Sequence, residues 1–216
     1  MTTPDFNPEL HEYRVGGVIY PSVTQILSGL GMLKDLSFLD PFYRDRGTAT
    51  HKVIDLDFSG LEIDWSFNGA EHIVPRYEKF LRLKEAAGLR PILWETPLAS
   101  EVWQYAGTPD YAGPFFRHSL AIVDWKGDKP EPGHRLQVAG GYRGLLIEAA
   151  KSGDLDVDPV ELMHCPCFLV PLGGDREMPQ HEPVEDEDGA ALNVFRGAAA
   201  CFNWRAANGY LNGGKR

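Results

Sequence analysis

The stretch Tyr105-Ala-Gly-Thr-Pro-Asp-Tyr-Ala-Gly-Pro-Phe-Phe-Arg-His-Ser-Leu-Ala-Ile-Val-Asp-Trp-Lys126 reads as two apolar strands joined at the polar step Arg117-His118. A hairpin turning there sets Asp110 about opposite Asp124. Directly opposed side chains in a sheet hold their Cβ atoms about 4.5–5.5 Å apart, and like charges at that spacing repel, so the pair calls for compensation. The two-residue period of a strand also places Lys126 on the face of Asp124, next to Leu120 and Ile122, so these charges end an otherwise apolar face. Two carboxylates and an ammonium at the rim of a core suit a divalent cation held by oxygen ligands, with the lysine nearby as a point charge. Glu95, in Trp94-Glu95-Thr96 on the preceding strand, offers a third carboxylate. Pattern alone leaves a second reading open, an ordinary Asp124–Lys126 ion pair with Asp110 in a Pro-Asp turn.

Outward from this hairpin the period alternates between helix and strand. Ser22, with Gln25 three places on and then an apolar pair, marks a helix start that stops at Gly29 to Gly31. Helical segments follow at about 46–58 and 72–87, the second with an apolar stripe of Tyr77, Phe80, Leu81 and Leu83 and a stop at Gly88. Strand-like runs cover 92–100, 105–115 and 119–126, helix returns at 135–151, a strand is expected at 162–172, and a closing helix at 190–207. The expectation is a single α/β (α+β) domain over residues 1–216, a central mixed sheet flanked by helices. Its helical N-terminal part covers about 20–88, its core about 90–172 and its C-terminal helix about 190–207.

The chain has 216 residues, 43% of them hydrophobic and 24% charged, enough to bury a core without metal or disulfide staples, so a metal here would serve chemistry. Cys165, Cys167 and Cys201 cannot complete a disulfide framework, which suits a reducing, cytoplasmic setting. No apolar run approaches the roughly 18 residues of a membrane span. The net charge of −10 argues against a polyanionic partner only weakly, because a polyanion feels the patch within a Debye length of about 8 Å. Between Arg76 and Arg90 five bases (Arg76, Lys79, Arg82, Lys84, Arg90) face two acids. That segment reads either as a solvated amphipathic face or as a track for phosphates. The acidic run Glu182, Glu185, Asp186, Glu187 and Asp188 reads as a solvated helix N-terminus, where carboxylates suit the macrodipole. Trp103, Tyr105 and Tyr111 suit core packing, with base stacking as the alternative, and His72, His118, His134 and His181 read as packing or surface histidines.

Taken together, Gly107-Thr108-Pro109-Asp110, the run Ala121-Ile122-Val123 and Asp124-Trp125-Lys126 resemble the PD-(D/E)XK nuclease superfamily. More narrowly, the chain resembles its RecB-type and phage exonuclease branch. That branch carries, in order, a helix with Gly-x-x-x-His, a Glu on the first core strand, Gly-x-x-Asp, Asp/Glu-x-Lys, and a helix with a Gln and a Tyr. Here the matching residues are Gly47 to His51, Glu95, Gly107 to Asp110, Asp124 to Lys126, and Gln137, and the likeness spans about 20–142. One spacing departs: Tyr142 follows Gln137 by five residues where the family has four, and Gly141 holds the expected place.

The resemblance implies a metal-dependent DNA exonuclease of phage or recombination type. The alternatives are a structure-specific endonuclease or nickase and a catalytically idle DNA-binding or assembly module. It implies Asp110, Asp124, Glu95 and His51 as ligands of Mg²⁺ or Mn²⁺, with Lys126 and Gln137 completing the catalytic set. Arg76, Lys79, Arg82, Lys84 and Tyr142 are the candidate DNA contacts. The implied partners are single-stranded DNA or duplex ends and a recombination or single-strand annealing protein.

Overall fold

The computed structural model describes residues 3–34, 41–186 and 189–211. Three short antiparallel strands open the chain, β1 (Asp5–Asn7), β2 (Glu12–Val15) and β3 (Val18–Tyr20), ahead of the region where the sequence announces its first element. Helix α1 (Val23–Gly29) begins at the capping box read from the sequence: Gln25 N donates to Ser22 Oγ at 3.1 Å and Ser22 N to Gln25 Oε1 at 2.8 Å. Helices α2 (Pro41–Phe58) and α3 (Ala70–Ala87) follow, and α3 ends at Gly88, whose left-handed φ of 65° supplies the expected stop.

The strand runs divide more finely than their apolar character suggests. The run at 92–100 splits into β4 (Leu93–Trp94) and β5 (Leu98–Ser100), and that at 105–115 into β6 (Tyr105–Gly107) and β7 (Tyr111–Phe115). Pro109 offers no N–H for a ladder, so the chain leaves one sheet there and enters another. β5 and β6 form a separate two-stranded ribbon, and the hairpin partner of β8 (His118–Lys126) starts at Tyr111. Helices α4 (Pro132–Leu136) and α5 (Arg143–Lys151) are joined without a break by a π-helical turn, Gln137–Tyr142. α6 (Pro159–His164) occupies the front of the segment expected to be a strand, with Asp158 capping and Pro159 at its first position, and β9 (Cys167–Pro171) the rest. β10 (Glu182–Val184) and α7 (Ala190–Ala207) complete the order.

The central sheet is mixed, in the order β10-β9-β8-β7-β4, and flanked by helices. Only β8 and β9 run parallel, since the helical crossover α4-π-α5-α6 lies between them. On one face Leu120, Ile122 and Leu169 pack with α1, the π turn, α5 and α7; on the other Ala121, Val123, Trp125 and Val170 pack with Ile54 of α2 and Phe80 and Leu83 of α3. β8 is thus apolar on both faces through Leu120–Val123; beyond the polar His118 and Ser119 at its start, its charged side chains, Asp124 and Lys126, come at its C-terminal end. Within the acidic run, Asp186 is buried against Arg143 at 2.6 Å, its other oxygen accepting from Ala191 N at 2.9 Å, so it ties down the start of α7; Glu182 lies half-buried in β10 beside Arg135, Glu185 is exposed as a solvated run requires, and Glu187 and Asp188 lie outside the described residues. Among the described residues no helix is long and apolar enough to cross a membrane.

Candidate active site

β7 and β8 pair Tyr111 with Val123 and Ala112 with Ile122. Carried one step on, this register sets Asp110 against Asp124, as the hairpin reading requires. Trp94 pairs with Tyr111 on the other side of β7, which brings Glu95 beside Asp110, and Glu95 N donates to Asp110 O at 3.4 Å. Glu95 is not on a strand. It sits in the turn between β4 and β5 with φ of 39°, a left-handed backbone that costs a non-glycine about 1–3 kcal/mol and persists only where its surroundings enforce it.

Helix α2 brings His51 to the same spot. Its Nδ1 lies 2.9 Å from Glu95 Oε1 and 3.6 Å from Asp110 Oδ1, and donor atoms of His51, Glu95 and Asp110 all fall within 4.8 Å of one another. Asp110 Oδ2 accepts from Trp125 N at 2.7 Å, which fixes the carboxylate in the sheet. Asp124 Oδ2 lies 2.7 Å from Lys126 Nζ as an ion pair, yet the angles are not those of a hydrogen bond and this buried oxygen has no hydrogen-bond donor. Burial raises the Asp124 carboxyl to about 6 against the pull of Lys126, and burial likewise raises Asp110, with His51 opposing. Burial opposes charge on His51 too, but Asp110 and Glu95 outweigh it and raise the imidazole to about 10. Two carboxylates are therefore buried side by side, and one buried oxygen lacks a donor. Carboxylate oxygens with one imidazole nitrogen form a donor set suited to a divalent cation.

The π turn accounts for the irregular Gln137-to-Tyr142 spacing. In an α-helix residues four apart share a face; a π turn holds one more residue, so residues five apart do. Gln137 Oε1 accepts from Lys126 Nζ at 3.0 Å while its Nε2 donates to the Tyr142 hydroxyl at 2.7 Å. A polar chain thus runs Asp124–Lys126–Gln137–Tyr142 along the end of β8. Tyr142 is buried, and burial holds its hydroxyl protonated far above the ordinary range, so its contact is with Gln137, inside the protein.

Among the basic residues of α3, Arg76 and Lys79 are buried, Lys84 is half-buried and Arg82 is exposed. Arg76 donates to Gly127 O at 2.5 Å and to Asp128 Oδ1 at 3.3 Å, Lys79 to the carbonyls of Gly173 and Gly174, Arg82 to Glu177 O at 2.9 Å, and Lys84 to Asp57 Oδ2 at 2.5 Å. Arg76, Lys79 and Arg82 pin loops, above all the segment leaving β8 directly after Lys126, and Lys84 ties α3 to α2. Tyr105 and Tyr111 are fully buried, the first donating to Gly141 O at 3.2 Å and the second to Pro114 O at 2.5 Å, so core packing accounts for both. Two residues near the site had no reading that placed them there. Tyr13, from the unforeseen N-terminal strands, shares a hydrogen bond with Thr108 Oγ1 at 2.9 Å. His134 lies one helical turn before Gln137, a three-residue spacing that is visible in the sequence.

No protein-family model and no curated protein matches the chain. Among solved structures it is similar to the crystal structure of LHK-Exo in complex with dAMP, at 12% identity over 88% of this chain and 89% of that one, with a TM-score of 0.40.

Proposed function

We propose that the chain is a metal-dependent nuclease of PD-(D/E)XK type that hydrolyses phosphodiester bonds of DNA from free ends. The observation that carries this reading is the convergence of His51, Glu95 and Asp110, from a helix, a strained turn and a strand edge, beside the Asp124–Lys126–Gln137 chain. Asp110, Asp124, Glu95 and His51 would hold one or two Mg²⁺ or Mn²⁺ ions. When bound, the cation supplies Lewis-acid stabilisation of the scissile phosphate.

The chain's own groups do the rest. An ammonium has three N–H donors. Gln137 accepts from one of those on Lys126 and Asp124 is its ion-pair partner without a hydrogen bond, so the ammonium keeps N–H donors to orient the attacking water or meet developing charge on the phosphate. Gln137 holds that ammonium in place and is itself held by Tyr142. Arg76 and Lys79 hold the loops around this end of the sheet, and we assign them no DNA contact. End dependence is taken from the resemblance, in which helices ahead of the core strands help roof a passage for one strand.

The test is incubation of the protein with end-labelled linear DNA and with covalently closed single-stranded circles, each with Mg²⁺, Mn²⁺ or EDTA. The expected result is metal-dependent loss of linear DNA with circles spared. Equal cutting of circles assigns an endonuclease instead, and no cleavage in either metal assigns a DNA-binding or assembly module.

A further inference from the structure

His134 has two ring nitrogens with different surroundings. Nδ1 accepts the Glu131 backbone N–H at 2.9 Å, closing the capping box at the start of the long α4-π-α5 helix. A neutral imidazole that accepts at Nδ1 carries its proton on Nε2. Among the described residues nothing accepts that proton. The ring stays neutral down to about 4, chiefly through burial and then the nearby Lys126 ammonium, with Asp124 and Glu131 opposing. His134 therefore lies within electrostatic reach of both polar residues that end β8, and its spacing from Gln137 puts the two on one helix face.

We infer that His134 is a substrate-phosphate contact whose Nε2–H donates to a non-bridging oxygen of the phosphate held beside Lys126. This rests on the nuclease reading above. The capping bond fixes both tautomer and ring orientation, so the donor is preorganised, as a hydrogen bond to developing anionic charge requires. A charged imidazole is not needed. The donor is neutral across the working pH range, and it complements the single cation that Lys126 provides.

Two substitutions separate this role from capping. In His134→Asn the side-chain oxygen takes the place of Nδ1 and keeps the cap, but no N–H stands at the Nε2 position. In His134→Gln, the residue type that closes the box at Ser22 through Gln25, the side-chain oxygen caps Glu131 N–H while the longer side chain keeps an amide N–H to donate. The inference predicts that His134→Asn melts with the parent but loses about 10²-fold in kcat on linear DNA with Mn²⁺, the loss typical of one removed oxyanion donor. His134→Gln should melt with the parent and stay within about tenfold of parent activity, losing less than the removed donor costs. An Asn variant as active as the Gln variant overturns the inference and leaves His134 as a cap alone. A parent without metal-dependent cleavage overturns the nuclease reading and this inference together, whereas an active parent matched by His134→Asn overturns only the inference.

Discussion

At the scale of single residues, the burial of Asp110 and Asp124 gives a signed pH prediction. In the metal-free protein the Asp124 carboxyl titrates at about 6, against 3.8 for its ordinary value, so between those pH values the folded state binds more protons than the unfolded one. This group's contribution to stability is thus greatest at the acid end of the window and falls as pH rises through about 6. A bound cation reverses the trend, because it binds the deprotonated ligands. At a metal concentration 100 times Kd the stabilisation is about 2.7 kcal/mol. Scanning calorimetry should show Mn²⁺ raising the melting temperature clearly at pH 7.5 and much less at pH 5, and the rise at pH 7.5 should vanish in Asp110→Asn. Much of this cluster was legible beforehand: the order Asp110, Asp124, Lys126 and a two-residue period suffice to oppose the carboxylates. The left-handed turn at Glu95 was not, because a run of Trp, Glu and Thr looks like strand and only the departure of β5 into another sheet shows otherwise. His134 was passed over because a lone histidine near a helix start has no pattern until its partner, Glu131 N–H, is known.

At the scale of elements, the helix carrying Gln137 is seated by glycine. A Cβ on Gly140 would stand 2.6 Å from Ala191 O and 2.7 Å from Phe195 Cβ, so α7 lies against the π turn backbone to backbone. Overpacking of this kind costs about 1–3 kcal/mol, and Gly140→Ala should lower the unfolding free energy obtained from urea titration by that much. A shift of about 1 Å in catalytic groups can cost 10²-fold in rate, so activity should fall with it. Sequence periodicity finds the helix here but not the π turn, since one inserted residue changes no residue type. The turn emerges only because α7 fixes the rear half while Lys126 fixes Gln137 at the front. The α3 helix tells the opposite lesson. Its bases make an exposed amphipathic stripe as plausible as a phosphate track, and tertiary carbonyls such as Gly127 O and Gly173 O cannot be read from a local window. Arg76→Gln should therefore destabilise by about 2 kcal/mol, the scale of a hydrogen bond from a charged donor, with the salt dependence of DNA binding unchanged. A flattened salt slope in that variant would return α3 to the substrate face.

At the scale of the molecule, a mixed sheet clad on both faces by helices leaves only the ends of its strands for polar work. β8 is the central strand, and the site forms where its C-terminal end meets α2, the β4–β5 turn and the head of the α4-π-α5 helix. The alternation of helical and strand periods announced this layering, and the hairpin announced the end at which charge collects. The three N-terminal strands went unread because three- and four-residue strands carry too short a period to register, though Tyr13 reaches the site from there. The central claim is that this strand end holds a divalent cation and cleaves phosphodiester bonds. Its most direct measurement is the release of nucleotides from linear DNA by the parent and by Asp124→Asn, each with Mn²⁺ and with EDTA. Cleavage by the parent in Mn²⁺ alone, and by Asp124→Asn in neither, is the predicted result; cleavage that survives EDTA, or an Asp124→Asn variant as active as the parent, would contradict it.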